Sequence, residues 1–135
     1  MTQYYINRLG YEIVGAAIEV HNSLGPGLLE SVYEKCLAHD LLIRGYDVKR
    51  QIPVPGNYKG LEFTTEFRLD LIVNDVIIVE LKAAETWNKV WEAQLLTYLK
   101  LMNLPKGLLI NFFEPVLKDG MKSFVTEAYA KLPKE

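Results

Sequence analysis

Arg68-Leu69-Asp70-Leu71-Ile72-Val73-Asn74-Asp75-Val76-Ile77-Ile78-Val79-Glu80-Leu81-Lys82 is the stretch on which the reading of this chain turns. Two apolar, β-branched runs flank an Asn74-Asp75 turn signal, and this pattern predicts a β-hairpin. One arm carries Asp70, and the other carries Glu80 and Lys82. Charges in strands this apolar are nearly buried, and an unpaired buried carboxylate is costly. Something must sit opposite them. A divalent cation is the simplest candidate, because hard carboxylate oxygens bind Mg²⁺ and Mn²⁺.

Register narrows the expectation. Side chains alternate along a strand, so Glu80 and Lys82 share a face and Leu81 points away. A two-residue turn at Asn74-Asp75 would set Asp70 opposite Val79 and place Glu80 on the other face. For Asp70 and Glu80 to meet, the hairpin needs a three-residue loop reaching Val76, or a bulge. That irregularity is predicted.

The surroundings bound the answer. At 135 residues, half of them hydrophobic, the chain fits a single domain, residues 1–135, with a sizeable core. A formal net charge of −2 supplies no global basic field for nucleic acid, although a local basic patch beside a metal site would suffice. The lone Cys36 lies in an apolar helical run and reads as a core thiol, so neither a disulfide framework nor a cysteine metal cluster is expected. No apolar run approaches the ~20 residues that cross a bilayer, and the N-terminus lacks a signal-peptide pattern. The expectation is a soluble, cytosolic protein without membrane contact.

Taken in order, Leu9, Ile13, Ala16, Ala17, Val20 and Leu24 recur at helical spacing and predict a helix from about Tyr4 to Leu24, stopped by Gly25-Pro26-Gly27. A second helix is predicted over Leu28 to Ile43, with Leu29, Val32, Tyr33, Cys36, Leu37 and Leu41 as its apolar set and Gly45 closing it. Glu30 falls in its first turn, where the helix dipole favours an ionised carboxylate. Tyr46 to Pro55 reads as a strand with Val48, Arg50, Ile52 and Val54 on one face and Asp47, Lys49 and Gln51 on the other, its two prolines indicating that it sits at an edge or leaves the sheet there. After the hairpin come a third helix ending near Asn103 and a wholly apolar strand, Leu108 to Phe113, suited to a sheet covered on both faces. There is room for one more strand, Met121 to Val125. The predicted architecture is α/β: a mixed sheet flanked by helices, in the order α-α-β-β-β-α-β.

On the third helix Trp87, Trp91, Gln94, Tyr98 and Leu101 fall on one face, a stripe that by itself reads as core. Gln94 is its odd member, since a buried amide requires partners. Together with the hairpin these residues resemble the PD-(D/E)XK nuclease superfamily and, within it, the RecB-like group. The pieces are Glu30 on an early helix, Asp70 on a strand, Glu80-Leu81-Lys82 on the next, and Gln94-Leu95-Leu96-Thr97-Tyr98 on the following helix. Gly27-Leu28-Leu29-Glu30-Ser31-Val32-Tyr33, with the His21 to Gly27 run before it, is similar to the small GxxExxY proteins. The resemblance spans roughly Ile13 to Val125. An E-x-K alone is weak, whereas all the pieces in order are specific.

The resemblance implies a restriction-endonuclease-like core and Mg²⁺- or Mn²⁺-dependent hydrolysis of phosphodiester bonds, with DNA as the nucleic-acid partner. It assigns Asp70, Glu80 and the Leu81 carbonyl to the metal, with Glu30 completing the shell directly or through water. Lys82 would position the attacking water and offset charge developing on the phosphate. Gln94 would donate to the ligands or hold the lysine, with Tyr98 and His21 supporting; His21 also reads as a satisfied helix-end histidine. Lys49, Arg50, Lys59, Arg68 and Lys89 could follow a phosphate backbone and Trp87 or Trp91 could stack on a base, although dispersed surface charges and core packing are the commoner explanations. A homodimer would supply two sites. The rivals are a nucleic-acid-binding module with little turnover and an interaction protein whose acidic cluster is a salt-bridge network around Lys82.

Overall fold

In the computed structural model, which describes residues 1–135, α1 (Gln3–Leu24) and α2 (Glu30–Ile43) precede three strands: β1 (Val48–Tyr58), β2 (Leu61–Val73) and β3 (Ile77–Lys82). Then come α3 (Lys89–Met102), β4 (Lys106–Asn111), a single 3₁₀ turn at Leu117–Gly120, β5 (Met121–Val125) and a terminal turn of helix, α4 (Glu127–Ala130). The strands form one mixed sheet in the order β1-β2-β3-β4-β5. Only β3 and β4 run parallel, and α3 supplies the crossover that a parallel pair requires. This is the predicted α/β architecture, with the additional strand present.

The hairpin loop contains three residues. β2 and β3 pair through Leu71 with Val79, Ile72 with Ile78 and Val73 with Ile77, which leaves Asn74, Asp75 and Val76 to turn the chain. Asn74 and Asp75 take positive φ values of 52° and 58°, and the Val76 N–H closes the turn onto the Val73 carbonyl. Asn and Asp tolerate this left-handed backbone better than other non-glycine residues. The Asn74 amide fixes the loop further, accepting from the Asp47 N–H at 2.9 Å and donating to the Tyr5 hydroxyl at 3.0 Å.

The sheet divides the core in two. Beneath α1 and α2, Ile6, Ile13, Tyr33, Leu37 and Leu41 pack on Leu71, Val73, Ile77, Val79 and Ile110. On the opposite face Leu95, Tyr98 and Leu99 of α3 pack on Val54, Ile72, Ile78 and Leu109. α3 rests close to β4 because Gly107 has no side chain: a Cβ there would come within 2.9 Å of Leu95. The apolar stripes differ from the predicted ones by about a residue. In α2 the buried face is Tyr33, Glu34, Leu37, Ala38 and Leu41, while Leu29 is 75% exposed. In α3 it is Leu95, Tyr98 and Leu99, with Leu101 facing out.

Strand alternation fails at one level of the sheet. Leu69 belongs to the α3-side cluster and Leu71 to the other, although residues two apart in a strand share a face. β1 does the same: Val48 packs on the α1/α2 side, whereas Ile52 and Val54 face α3. Both strands turn over there, and Gln51 and Asp70 occupy the turnover. The ladder pairs Arg50 with Leu71 and Ile52 with Leu69, skipping Gln51, whose φ is 52°. The predicted division of β1 into an Arg50 face and a Gln51 face is therefore corrected, since both side chains reach Glu34.

Candidate active site

Past Leu71 and Val79 the ladder between β2 and β3 stops, and side chains occupy the fork between the strands. The Leu81 N–H donates to Asp70 Oδ2 at 2.8 Å, and the Asp70 N–H donates to Glu80 Oε1 at 3.3 Å. Each carboxylate thus takes a backbone donor from the opposite strand in place of a ladder bond. The two side chains meet, as the three-residue loop requires. Both are 8% exposed.

Crowding sets their electrostatics. Burial, and then the negative charge of Asp70, push the Glu80 carboxyl up to about 9 from an ordinary 4.5. Desolvation and Asp70 also raise Glu30, against a smaller opposing pull from Lys82. At Glu30 these effects outweigh the helix dipole, which the sequence reading takes as the dominant influence there. Glu34, which the sequence reading passed over, is raised by its burial, although Arg50 opposes the shift. Acidic groups packed this way need a cation or protons.

The acidic groups of α2 arrive by a clamp. Gly25 and Gly27, with φ of 74° and 100°, carry the chain from α1 into α2. The buried Tyr33 hydroxyl donates to the Gly25 carbonyl at 2.6 Å and accepts from the Leu28 N–H at 3.0 Å. Its ring stacks on Phe112 with centroids 4.5 Å apart. Glu30 begins the helix immediately after this clamp. One turn on, Glu34 is 5% exposed and accepts from Arg50 Nη2 at 3.0 Å and from Gln51 Nε2. Its signal in the sequence was the i, i+4 spacing from Glu30, which puts both on one helix face.

Lys82 takes part in none of the salt bridges; its ammonium lies 5.5 Å from the centre of the Trp91 ring. Tyr98 is buried, its phenol raised by burial and by the charge of Glu80. Gln94 lies half-buried one turn before Tyr98. No buried side-chain polar atom lacks a partner, so the Gln94 amide is open to water. Trp87 precedes α3 and is engaged by its own neighbours: its indole donates to Glu92 at 2.7 Å and packs edge-on against Trp91.

The other residues singled out from the sequence scatter. His21 has the partner expected of a helix-end histidine: its Nε2 pairs with the Glu114 carbonyl oxygen at 2.7 Å. Arg50 is committed to Glu34, and Arg68 Nη1 donates to the Gln51 carbonyl at 3.2 Å. Lys59 sits in the β1–β2 turn over the Tyr58 ring, and Lys89 opens α3 at the surface.

Compared with known families, residues 7–124 match the PD-(D/E)XK nuclease superfamily. The chain belongs to that superfamily. Among curated proteins and solved structures nothing matched. PD-(D/E)XK nucleases generally use divalent metal ions, and membership suggests nucleic-acid binding. No helix is long and apolar enough to cross a membrane. The residues present fit such an ion. No three His, Cys, Asp or Glu side chains enclose a site by themselves. Mg²⁺, however, takes one or two carboxylates and leaves its remaining positions to water and substrate phosphate. The pair Asp70 and Glu80, which is costly to keep doubly ionised in its buried fork, would supply that donor set. Glu30 lies near enough to Asp70 and Lys82 for their charges to act on its carboxyl.

Proposed function

We propose that this chain is a metal-dependent nuclease that hydrolyses phosphodiester bonds in DNA, in the RecB-like, GxxExxY branch of its superfamily. One observation carries the reading: Asp70 and Glu80 meet in the fork between β2 and β3, with the unpaired Lys82 next on the Glu80 face. A structural salt-bridge network would engage that ammonium. Here it makes no salt bridge and lies against Trp91, and this disfavours the rival in which the cluster only braces the fold.

Asp70, Glu80 and the Leu81 carbonyl would hold Mg²⁺ or Mn²⁺, with Glu30 alongside. When bound, the ion supplies Lewis-acid polarisation of the phosphate and acidifies water. The protein's own groups do the rest. Lys82 places a positive charge where the phosphate gains negative charge, and it orients water toward phosphorus. The Leu81 N–H keeps Asp70 turned inward. Gln94, whose amide is uncommitted, is available to the lysine or to the scissile phosphate.

The test is incubation of the purified chain with single-stranded, duplex and branched DNA, with and without Mn²⁺, beside Lys82→Ala. Mn²⁺-dependent cutting that the variant loses supports the nuclease. Binding of DNA without cutting favours the module with little turnover. Equal cutting by the alanine variant would place the activity elsewhere.

A further inference from the structure

Gln51 is exposed, non-glycine and left-handed in the middle of a strand, and it stands opposite Asp70. Such a conformation is disfavoured for a residue with a Cβ and persists only where the surroundings over-determine it. They do so here from three sides. The Gln51 carbonyl accepts from Arg68 at 3.2 Å. Its Nε2 donates to Glu34 Oε1 and lies 3.5 Å from Asp70 Oδ1. Arg50 fixes the other oxygen of Glu34 at 3.0 Å. An ordinary extended residue would send this amide to one face of the sheet. The turned-over backbone sends it into the space between two carboxyl groups instead.

We propose that Gln51 is a positioning residue for Asp70, its left-handed backbone delivering a neutral donor between Glu34 and Asp70 that keeps the Asp70 carboxylate turned toward β3. The proposal rests on the reading of Asp70 as part of the nuclease site, which it deepens. A primary amide suits the task because both its hydrogens can donate, one to each carboxyl, without bringing a positive charge that would compete with a cation. Asp70 is then held at both ends: Oδ1 faces Gln51 and Oδ2 takes the Leu81 N–H at 2.8 Å. Gln51 touches no reacting atom. It acts through Asp70.

The experiment is amide hydrogen exchange on the full chain without added metal, comparing wild type with Gln51→Gly and Gln51→Asn. Glycine accepts the left-handed backbone freely and asparagine accepts it readily, so both variants retain the turnover while the amide is lost or drawn back by one methylene. Leu81 protection is expected to fall at least about tenfold in both, with Ile78 and Val79 unchanged. Leu81 protection within about twofold of wild type in both overturns the proposal. A loss confined to the glycine variant also overturns it, assigning the effect to chain flexibility. DNA cleavage with Mn²⁺ by wild type is measured alongside. No cleavage with a Gln51-dependent Leu81 amide defeats the nuclease and leaves the positioning role standing. Cleavage with a Gln51-independent amide does the reverse.

Discussion

The Asp70 N–H points at Glu80 Oε1 across 3.3 Å, so the residue whose charge most opposes ionisation of Glu80, after burial itself, also offers it a backbone donor. Burial and charge outweigh that bond. The fork favours a protonated Glu80 when no cation is present and an ionised one when a cation arrives.

Stability should therefore depend on pH in an uncommon direction. The folded Glu80 lies near 9 and the ordinary value is 4.5. Between those values the folded chain keeps a proton that the unfolded chain has released, so stability falls as pH rises through the window. Glu30 and Glu34, also raised, act with the same sign. Thermal unfolding without metal should give a higher Tm near pH 5.5 than near pH 8.5. Glu80→Gln should flatten the slope. Added Mn²⁺ should reverse it, because ion and proton compete for one carboxyl. A wild-type Tm that climbs steadily over that range without metal would contradict the assignment.

Lys82→Ala separates catalysis from architecture. The ammonium makes no salt bridge, and its contact with Trp91, 5.5 Å from the ring centre, is worth about 0.5–1 kcal/mol. The variant should unfold within about 1 kcal/mol of wild type. Cleavage should drop by about 10²–10³-fold, as when one preorganised charge-stabilising donor is removed. Denaturant titration and single-turnover cleavage read the two effects independently. A large stability loss would instead mark Lys82 as a brace of the fork.

Much of this was legible in the sequence because it follows from parity. The alternation of faces demanded a third loop residue if Asp70 and Glu80 were to meet, and Val76 is that residue. The last strand appears at Met121–Val125, as read. What the sequence hid is the turnover at Gln51 and Asp70, because alternation presumes a regular strand and nothing in Lys49-Arg50-Gln51-Ile52 announces a left-handed residue. Glu34 was hidden for a related reason: a charged residue among helical apolar positions reads as solvent-facing until Arg50 and Gln51 are brought to it. The aromatics of α3 dominate its helical pattern in the sequence, although Leu95 and Leu99 carry the packing on β4.

The hairpin loop should tolerate sequence change poorly at Asn74. Its φ of 52° suits Asn, and its amide holds Asp47 and Tyr5. Asn74→Ala incurs both the backbone strain and two lost hydrogen bonds, and should destabilise by about 1–3 kcal/mol in denaturant unfolding. Asn74→Gly should recover the backbone part only. Equal losses in the two variants would mean that the hydrogen bonds, not the conformation, hold the turn.

Tyr33→Phe tests whether the clamp before α2 serves the site or only the fold. The substitution leaves the ring stacked on Phe112 and removes the hydroxyl that joins Gly25 to Leu28. A buried hydrogen-bonding group lost in this way costs about 1–3 kcal/mol. Because Glu30 follows the clamped segment directly, the loosened chain should also hold that carboxylate less firmly beside Asp70 and Lys82. Mn²⁺ affinity, measured by titration well below the Tm of the variant, should weaken by about tenfold, the low end of what loss of a support for a metal ligand costs. If affinity returns to the wild-type value once both proteins are fully folded, the Tyr33 hydroxyl stabilises the chain without aiming Glu30.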